Sequence, residues 1–357
     1  MDRKLTIKRV VVRGTNWVGD AVMTIPALRA LRHLLPESHI TLATSEWAKE
    51  LFSEANYVND LLIQNNLGFW SVFTNSGEWR KRNFDLAVIF PNSFASAVVP
   101  ALARVPIRVG YASDRRKPLL THAVPLPEWR SSKHEIFYYL NIVSEVERLL
   151  GREPVAHEPD ISLQISEASH KSGWDLLQTA GCNDVQPVVA LCPGSINSRA
   201  KRWPAERYAK LADILIERLH AQVVLMGSRE EVDVSLEVTG HMRNQPIVLT
   251  GETNLGQAVA VLSNVELLIT NDTGPSHIAS SLGRPTLVIF GPTNPLTTRP
   301  YSTIGEILRH PPDCAPCMLR DCPIDHRCMT AISPEEVFER ACKMLGSRVE
   351  KFHLVGQ

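Results

Sequence analysis

The sequence predicts an α/β protein of two doubly wound domains that face a central cleft. Short β-branched runs alternate with helical stretches, starting at residues 10–13 and again at residue 188. This alternation indicates parallel strands joined by crossover helices. A chain of 357 residues is also too long for one ordinary hydrophobic core. The two halves resemble each other, so two similar domains are the simplest explanation.

The predicted elements follow this alternation in both halves. The first half begins with a strand at residues 10–13, a helix from about residue 20 to residue 35 and a strand at residues 40–43. The second half holds predicted strands at residues 188–191, 223–226, 267–269 and 287–290. Each of these later strands runs into a turn rich in Gly, Ser, Asn or Pro. Open α/β sheets bind their ligands at such turns.

An internal repeat supports two domains, because residues 85–93 resemble residues 266–274 and a small-residue helix follows in both halves. The polar stretch 151–169 is the predicted connection. The predicted domains are residues 1–160 and residues 161–333, followed by a C-terminal helix in residues 334–357. Ligand sites favour the interface between two such domains.

Charge and hydropathy limit the classes of partner and the cellular compartment that the sequence predicts. The formal net charge is zero, which argues against a dedicated nucleic-acid binder, whose affinity depends on many cations. The first residues, from Met1 to Val12, contain no long apolar stretch with a cleavage site, and no segment has the length of a membrane span. The sequence therefore predicts a cytoplasmic protein whose seven cysteines are mostly reduced.

The most informative segment runs from Asn271 to His277, directly after an apolar run. It predicts a strand, a tight turn and the first turn of a helix. Asp272 or Thr273 is suited to cap that helix, and Gly274 lets a ligand approach the backbone. The free amide groups and the positive end of the helix dipole favour an anion such as a diphosphate, with His277 facing it. The alternative is an ordinary strand-to-helix turn.

A glycine-bounded loop, residues 14–19, follows the first strand and precedes Asp20. Its spacing imitates a P-loop, but Asp20 and Ala21 stand where a P-loop needs Lys and then Ser or Thr. A carboxylate at that place would repel a triphosphate. Asp20 is therefore either an acid that stabilises the start of a helix or a general base.

Two further loops of the second half carry charged candidates. Lys201 lies with two arginines in the loop from Ser195 to Arg202, before a helix. Cations are unfavourable at that place unless an anion binds among them, and the alternative is a solvated surface loop. Glu231 lies four residues after Gly227. It either stabilises the first turn of the next helix or holds the hydroxyls of a ribose.

The cationic turn Arg115, Arg116 and Lys117 is either a solvated loop or a docking point for a phosphorylated or carboxylated acceptor. The apolar stretch 67–73 packs in the core or touches a membrane surface.

Four cysteines, Cys314, Cys317, Cys322 and Cys328, lie close together in a Pro-rich segment. They favour either a structural zinc site or a buried thiol cluster or labile disulfide, because their spacing is not that of two clean Cys-x-x-Cys knuckles.

Taken together, these motifs resemble the lipopolysaccharide heptosyltransferases, which use ADP-heptose and belong to glycosyltransferase family 9. The resemblance covers nearly the whole chain and is most specific in residues 271–277, followed by residues 283–285 and 290–295. Within the family it is strongest toward the heptosyltransferase II group. It implies an inverting enzyme of GT-B type, with two Rossmann-like domains, the first for the acceptor and the second for the nucleotide sugar. The C-terminal helix is expected to pack back on the first domain.

The resemblance also implies roles for single residues. Asp20 matches the general base, Lys201 a diphosphate-binding lysine and Glu231 a ribose-binding acid. The other positions that match the nucleotide-sugar site are Ser195, Asp272, Thr273, Gly274 and His277. The implied donor is ADP-heptose, and the implied acceptor is the heptosyl-Kdo-lipid A inner core, which brings peripheral contact with the inner membrane.

No Asp-x-Asp motif is present, so no cofactor is expected to be required, although this leaves room for stimulation by Mg²⁺. Two other functions suit the same fold, since fold does not determine function. A nucleotide-sugar epimerase would act without an acceptor, and a nucleotide-sugar sensor would bind the donor without turnover. A zinc-linked nucleic-acid module is disfavoured by the neutral charge.

Overall fold

The computed structural model of the protein describes residues 6–64 and 70–346. The predictions made for the first five residues, for residues 67–69 and for residues 347–357 lie outside this described part. The chain divides into two compact units, Met1–Ile161 and Ser162–Gln357. The division lies inside the polar stretch 151–169.

The first unit contains a six-stranded parallel sheet. Its strands are β1 (Arg9–Arg13), β2 (His39–Thr44), β3 (Asp60–Ile63), β4 (Leu86–Ile89), β5 (Ile107–Tyr111) and β6 (His122–Val124). Their order in the sheet is β3-β2-β1-β4-β5-β6, which is the order of a Rossmann fold. Val10, Val11 and Val12 of β1 are fully buried, as expected for a strand that is covered by helices on both faces.

Among the residues described for this unit, six α-helices accompany the sheet. They are α1 (Val18–Met23), α2 (Ile25–Leu34), α3 (Glu46–Phe52), α4 (Trp70–Arg82), α5 (Phe94–Leu102) and α6 (Glu135–Leu149). The single helix predicted from about residue 20 to 35 is thus two helices that meet at Thr24. Pro26 lies in the first turn of α2, and a proline is accommodated there because its missing N–H has no helical partner.

The second unit repeats this architecture. Its strands are β7 (Val188–Cys192), β8 (Gln222–Leu225), β9 (Ile247–Val248), β10 (Leu267–Asn271), β11 (Thr286–Ile289) and β12 (Gly305–Leu308). Their order is β12-β11-β10-β7-β8-β9, the same Rossmann order read from the other edge. The predicted fold of two Rossmann-like units is confirmed. The internal repeat has a structural basis, because β4 and β10 are the fourth strands of their units and both lie beside the first.

Helices surround the second sheet as well. They are α7 (Glu167–Thr179), α8 (Ala205–Leu219), α9 (Val232–His241), α10 (Leu255–Leu262), α11 (Gly274–Ser281), α12 (Pro295–Thr298), α13 (Arg327–Thr330) and α14 (Pro334–Leu345). One apolar cluster joins strands β7, β8, β10 and β11 to helix α8 and includes Trp203 and Tyr208. This cluster anchors the loops that follow the strands.

The last described helix, α14, has its apolar face in the core of its own unit. Val337, Ala341 and Leu345 are buried in the cluster that α8 contributes to. The packing of the C-terminal helix, residues 334–357, on the first domain stays a prediction, because residues 347–357 lie outside the described part. Within the described residues no helix has both the length and the apolar character needed to cross a membrane.

Candidate functional site

Lys201 and Asp272 form an ion pair where two loops of the second unit meet. The Nζ atom of Lys201 lies 2.9 Å from Oδ2 of Asp272 and 3.1 Å from its backbone oxygen. The Asp272 side chain is only 3 % exposed, and the Thr293 hydroxyl donates a further hydrogen bond of 2.6 Å to Oδ2. A buried carboxylate is costly unless it is paired in this way. Asp272 therefore holds the Lys201 side chain in place.

Asn271, the last residue of β10, ties these loops together. Its side-chain amide donates to the backbone oxygens of Pro193 and Gly194 at 2.7 and 3.2 Å. Its side-chain oxygen accepts from the backbone N–H of Trp203 at 3.0 Å and from the Tyr208 hydroxyl at 3.1 Å. Asn271 is fully buried, so each of these bonds replaces one to water. The loop that carries Lys201 is thereby fixed to the end of β10.

Helix α11 begins at Gly274, with Thr273 at the N-cap position, as the predicted strand, turn and helix require. No side chain caps its first turn, because the Thr273 hydroxyl lies 3.3 Å from that of Thr270 instead. The backbone N–H of Ser276 is engaged by the Thr273 oxygen at 3.1 Å. The half-exposed Gly274 thus presents the accessible backbone of this turn, while His277 is buried.

Glu231 ends a short 3-10 turn after β8 and faces the loop after β7. Its Oε2 accepts a hydrogen bond of 2.8 Å from the Ser228 backbone N–H. A Cβ atom on Gly194 would lie 2.1 Å from Glu231 Oε1, so only glycine leaves room for this carboxylate. Ser195 is buried, and its backbone oxygen accepts two hydrogen bonds from the Arg202 guanidinium.

The structure therefore brings the nucleotide-sugar candidates of the second unit to one end of its sheet. Ser195 and Lys201 follow β7, Glu231 follows β8, and Asp272 follows β10. The cations of the Lys201 loop are not simply solvated. Lys201 and Arg202 have the partners given above, and Arg199 pairs with Asp321 at 2.6 Å.

In the first unit, Asp20 lies in the first turn of α1 and is half-buried. Burial raises the pKa of the Tyr139 hydroxyl on α6 well above its ordinary value, and the negative charge of Asp20 raises this pKa further. The Asp20 carboxylate therefore lies close enough to Tyr139 to act on it electrostatically. The loop before Asp20 is fixed by the buried Arg13, which donates to the Gly14 oxygen at 2.7 Å and to Oδ1 of Asn16 at 3.3 Å.

A second carboxyl group near Tyr139 was not anticipated from the sequence. Glu135 lies in the first turn of α6, 3.5 Å from the Arg130 guanidinium. Burial raises the pKa of Glu135, and Arg130 opposes this shift. Arg130 also lies 4.0 Å above the ring of Tyr138, a cation–π contact. No spacing in the sequence links Arg130, Glu135 and Asp20, because α6 is more than a hundred residues from α1.

The predicted acceptor-docking turn is only partly available. Arg115 and Lys117 are exposed, but Arg116 is fully buried and donates to the backbone oxygens of Tyr111 and Pro91. Burial lowers the pKa of Arg116 to about 10. The Nε and Nη1 donors of Arg116 hold the turn, so Arg115 and Lys117 are its two exposed cations, and docking of an acceptor at this turn stays a prediction.

The four clustered cysteines are free thiols. In the described part of the chain, no group of three or more His, Cys, Asp or Glu side chains is arranged to hold a metal ion. The structure thus does not bring these cysteines into the zinc arrangement considered above. Burial raises the pKa of Cys328 to about 11, and Cys322, Cys317 and Cys314 add to this shift. Of the four cysteines only Cys328 is buried, and Cys314 is exposed. The zinc site and the buried thiol cluster both stay predictions.

The apolar stretch 67–73 is divided at its described end. Val72 packs against a core cluster that includes Trp79. Trp70 is 76 % exposed and Phe73 is 50 % exposed, with their ring centroids 5.9 Å apart. One part of the stretch therefore packs in the core while two aromatic rings remain at the surface.

The chain resembles known proteins over most of its length. The family model for glycosyltransferase family 9 (heptosyltransferase) matches residues 77–327. Lipopolysaccharide heptosyltransferase 2 of Escherichia coli K12 is 30 % identical in an alignment of 323 positions that covers 84 % of this chain and 88 % of that protein.

Solved structures of other proteins also resemble this one. The Escherichia coli ADP-heptose lipopolysaccharide heptosyltransferase II matches with a TM-score of 0.81 at 27 % identity, covering 94 % of this chain and 98 % of that one. A family 9 glycosyltransferase from Veillonella parvula matches with a TM-score of 0.82 at 25 % identity, covering 96 % and 98 %. Since the family model spans well over half of the chain, this protein is a glycosyltransferase that belongs to family 9, the heptosyltransferases.

Proposed function

We propose that this protein transfers L-glycero-D-manno-heptose from ADP-heptose to the heptosyl-Kdo-lipid A inner core of lipopolysaccharide. The names of its relatives support this proposal, since they include lipopolysaccharide heptosyltransferase 2 and ADP-heptose heptosyltransferase II. The observation that carries it within the chain is the Lys201–Asp272 pair beside the start of α11. A fixed cation next to a helix N-terminus suits a diphosphate.

The donor site in this proposal lies at the end of the second sheet. Lys201 and the backbone at Thr273 and Gly274 bind the diphosphate, while Glu231 accepts hydrogen bonds from the ribose hydroxyls. Ser195 and His277 are both about 95 % buried, so we assign them to supporting these loops. Asp272 acts on the ligand through Lys201, because a carboxylate in direct contact with a diphosphate would repel it.

The proposed reaction is a single displacement. The acceptor hydroxyl oxygen forms a bond to the anomeric carbon, and the bond from that carbon to the diphosphate oxygen breaks. ADP leaves with the electron pair, and Asp20 takes the hydroxyl proton. Negative charge grows on the departing diphosphate, so Lys201 and the start of α11 stabilise the transition state more than the bound donor. Arg115 and Lys117 remain candidates for binding the acceptor.

We propose further that the enzyme works at the cytoplasmic face of the inner membrane. The proposed acceptor is anchored by its lipid A, so its sugar must be reached at the membrane surface. The exposed rings of Trp70 and Phe73 support this, because aromatic side chains favour the interface between lipid and water. Peripheral contact needs no spanning helix.

The function is tested by incubating the full-length protein with ADP-heptose, with and without a heptosylated Kdo-lipid A fragment, and analysing products by mass spectrometry. A transferase adds one heptose to the fragment and releases ADP only when the fragment is present. An epimerase would change the donor without the fragment. We expect Asp20→Asn to lower kcat about a hundredfold or more, since this is the usual contribution of a general base, and to retain ADP affinity.

A matched control separates base catalysis from helix stabilisation. Glu46 is likewise an acid in the first turn of a helix, α3, and is largely exposed. If Asp20 only stabilised α1, Asp20→Asn and Glu46→Gln would both lower thermal stability and leave kcat near that of the wild type. That outcome would contradict the role of Asp20 as the base.

A further inference from the structure

The segment of residues 312–330, which we call the cysteine segment, lies against the proposed donor site. Before the short helix α13 it contains no helix or strand. Its apolar residues Met318, Leu319 and Ile324 are largely exposed, so a hydrophobic core of its own does not hold it. Its conformation depends instead on contacts with neighbouring loops.

The first of these contacts is with the loop that carries Lys201. The Ala200 backbone N–H donates to the Arg320 oxygen at 2.9 Å, and the Ser198 hydroxyl lies 3.2 Å from the same oxygen. The Ala200 oxygen in turn lies 2.7 Å from Nε2 of His326. The backbone N–H and the backbone oxygen of Ala200, which precedes Lys201, are therefore both hydrogen-bonded to the cysteine segment. The nearby Arg199–Asp321 pair is exposed on both sides and adds little.

The second contact is with the loop after β11. The Met318 backbone N–H donates to the Pro292 oxygen at 2.9 Å, and a Cβ atom on Gly291 would lie 2.4 Å from the Met329 sulfur. Pro292 is followed in this loop by Thr293, whose hydroxyl donates to the Asp272 carboxylate. The cysteine segment thus contacts both loops whose side chains, those of Lys201 and Thr293, engage the Asp272 carboxylate.

His326 is held in an unusual conformation at this point. Its φ angle is 55°, in the left-handed region, which is uncommon for a residue with a Cβ and is maintained only by surrounding contacts. The Ala200 carbonyl can only accept, so Nε2 of His326 carries the proton and donates. The neighbouring backbone strengthens this arrangement, because the His326 oxygen accepts from the Met329 N–H at 2.9 Å.

We propose that the cysteine segment is a brace for the donor-diphosphate loop and that His326 is its positioning residue. His326 fixes Ala200, and Ala200 fixes the backbone from which Lys201 reaches the diphosphate. The half-buried thiols of Cys317 and Cys322 lie within this brace and serve as probes of its state. This inference rests on the proposed donor site.

The test uses the full-length protein and three variants of His326. Glutamine places an N–H near the position of Nε2, so His326→Gln keeps the bond to Ala200. Asparagine tolerates the left-handed conformation but is too short, so His326→Asn keeps the backbone and loses the bond. We expect His326→Asn and His326→Ala to weaken ADP binding about 3- to 10-fold, the effect of one lost hydrogen bond. The kcat/KM for ADP-heptose should fall by at least the same factor, because the Lys201 cation also stabilises the transition state.

His310 provides the matched control within the same unit. Its Nε2 lies 2.8 Å from Glu336 on α14 and contacts neither donor loop through that bond. His310→Ala should leave the Kd for ADP, measured by titration calorimetry, unchanged. Equal weakening by His310→Ala would show a general effect on folding and overturn the role of His326.

Thiol labelling gives a second readout that needs no mutation. A ligand that binds only when the brace is in place lowers the population of molecules in which the brace is displaced and its thiols are accessible. Saturating ADP should therefore slow alkylation of Cys317 and Cys322 several-fold, while Cys342 on α14 reacts at an unchanged rate in the same sample. If wild-type protein fails to bind ADP, the proposed function fails. If it binds ADP while the His326 variants and the labelling rates stay as they were, only the brace is refuted.

Discussion

At the scale of single residues, Asp272 shows how a structure changes the meaning of a motif. In the proposed function the motif from Asn271 to His277 binds an anion, and Asp272 is the one acidic side chain of this motif. Its carboxylate is paired with Lys201 and Thr293 and almost completely buried. The acid therefore does not oppose the anion but keeps the lysine in place, so the positive charge is preorganised before the ligand arrives.

The contact between Gly194 and Glu231 gives a prediction at the same scale. In Gly194→Ala the new methyl group would overlap the Glu231 carboxylate, which must move and lose its bond to the Ser228 N–H. We expect ADP binding to weaken about tenfold, because the ribose loses its acidic partner. The change is measured by titration calorimetry with ADP and, for comparison, with inorganic diphosphate.

Diphosphate lacks the ribose, so its affinity for Gly194→Ala should remain near that of the wild type. Gly240 on α9 has open space where a Cβ would lie, with no atom within 4 Å, and Gly240→Ala is therefore the control. Equal loss of ADP and diphosphate binding in Gly194→Ala would contradict a specific role of Glu231 toward the ribose.

The sequence predicts the site residues that a local pattern marks. It does not show the roles of residues whose partners lie far away along the chain. Lys201, Glu231 and Asp272 stand out because each follows a recognisable strand, and strand ends place ligands. Thr293 and Asn271 lie within recognised motifs, but the sequence does not show what they do, since their roles come from partners about 20 and 70 residues away. The burial of Arg116 was missed for a related reason, because a run of cations gives no sign of which side chain turns inward.

At the scale of elements, the strands and their turns are predictable, but the helix contacts are not. A parallel strand buried on both faces appears in the sequence as a short apolar run, as β1 and β10 do. Which helix covers another depends on atoms far apart in the chain. Helix α14 illustrates this, because its amphipathic pattern predicts a covered face without saying that α8 covers it.

Helices α7 and α10 meet at Gly173, and their packing there gives a prediction about stability. A Cβ atom there would lie 2.1 Å from the backbone oxygen of Ala260, and backbone cannot move aside as a side chain can. We expect Gly173→Ala to lower the free energy of unfolding by about 3 kcal/mol, at the upper end of overpacking costs. Urea denaturation followed by circular dichroism measures this change.

Gly77→Ala is the matched comparison for Gly173→Ala. Gly77 is also inside a helix, α4, and has no atom within 4 Å of the position that a Cβ would take. There the better helix propensity of alanine should raise the free energy of unfolding by up to about 1 kcal/mol. Similar stabilities for the two variants would show that α7 and α10 are not packed as closely as described.

At the scale of the whole molecule, the two units have the same strand order but different loops after the strands. In the proposed function the first unit supplies Asp20, whose negative charge acts on the Tyr139 hydroxyl, and the second supplies the Lys201 cation held by Asp272. Duplicating one fold thus provides two loop sets, and the function depends on how these loops differ, not on the sheets themselves. This division predicts that a nucleotide bound in the absence of acceptor stabilises the second unit specifically.

ADP should therefore stabilise the second unit by mass action. At a concentration one hundred times its Kd, a ligand that binds only the folded state adds about 2.7 kcal/mol to the free energy of unfolding. Native-state hydrogen exchange should show this gain in the amides of β7 and β10, whose cores are fully buried. Lys201→Met should lose most of the gain at the same ADP concentration, because its cation no longer meets the diphosphate. A gain confined to β1 and β4 would place the ADP site in the first unit, and the assignment of Lys201 and Asp272 to the donor would then be wrong.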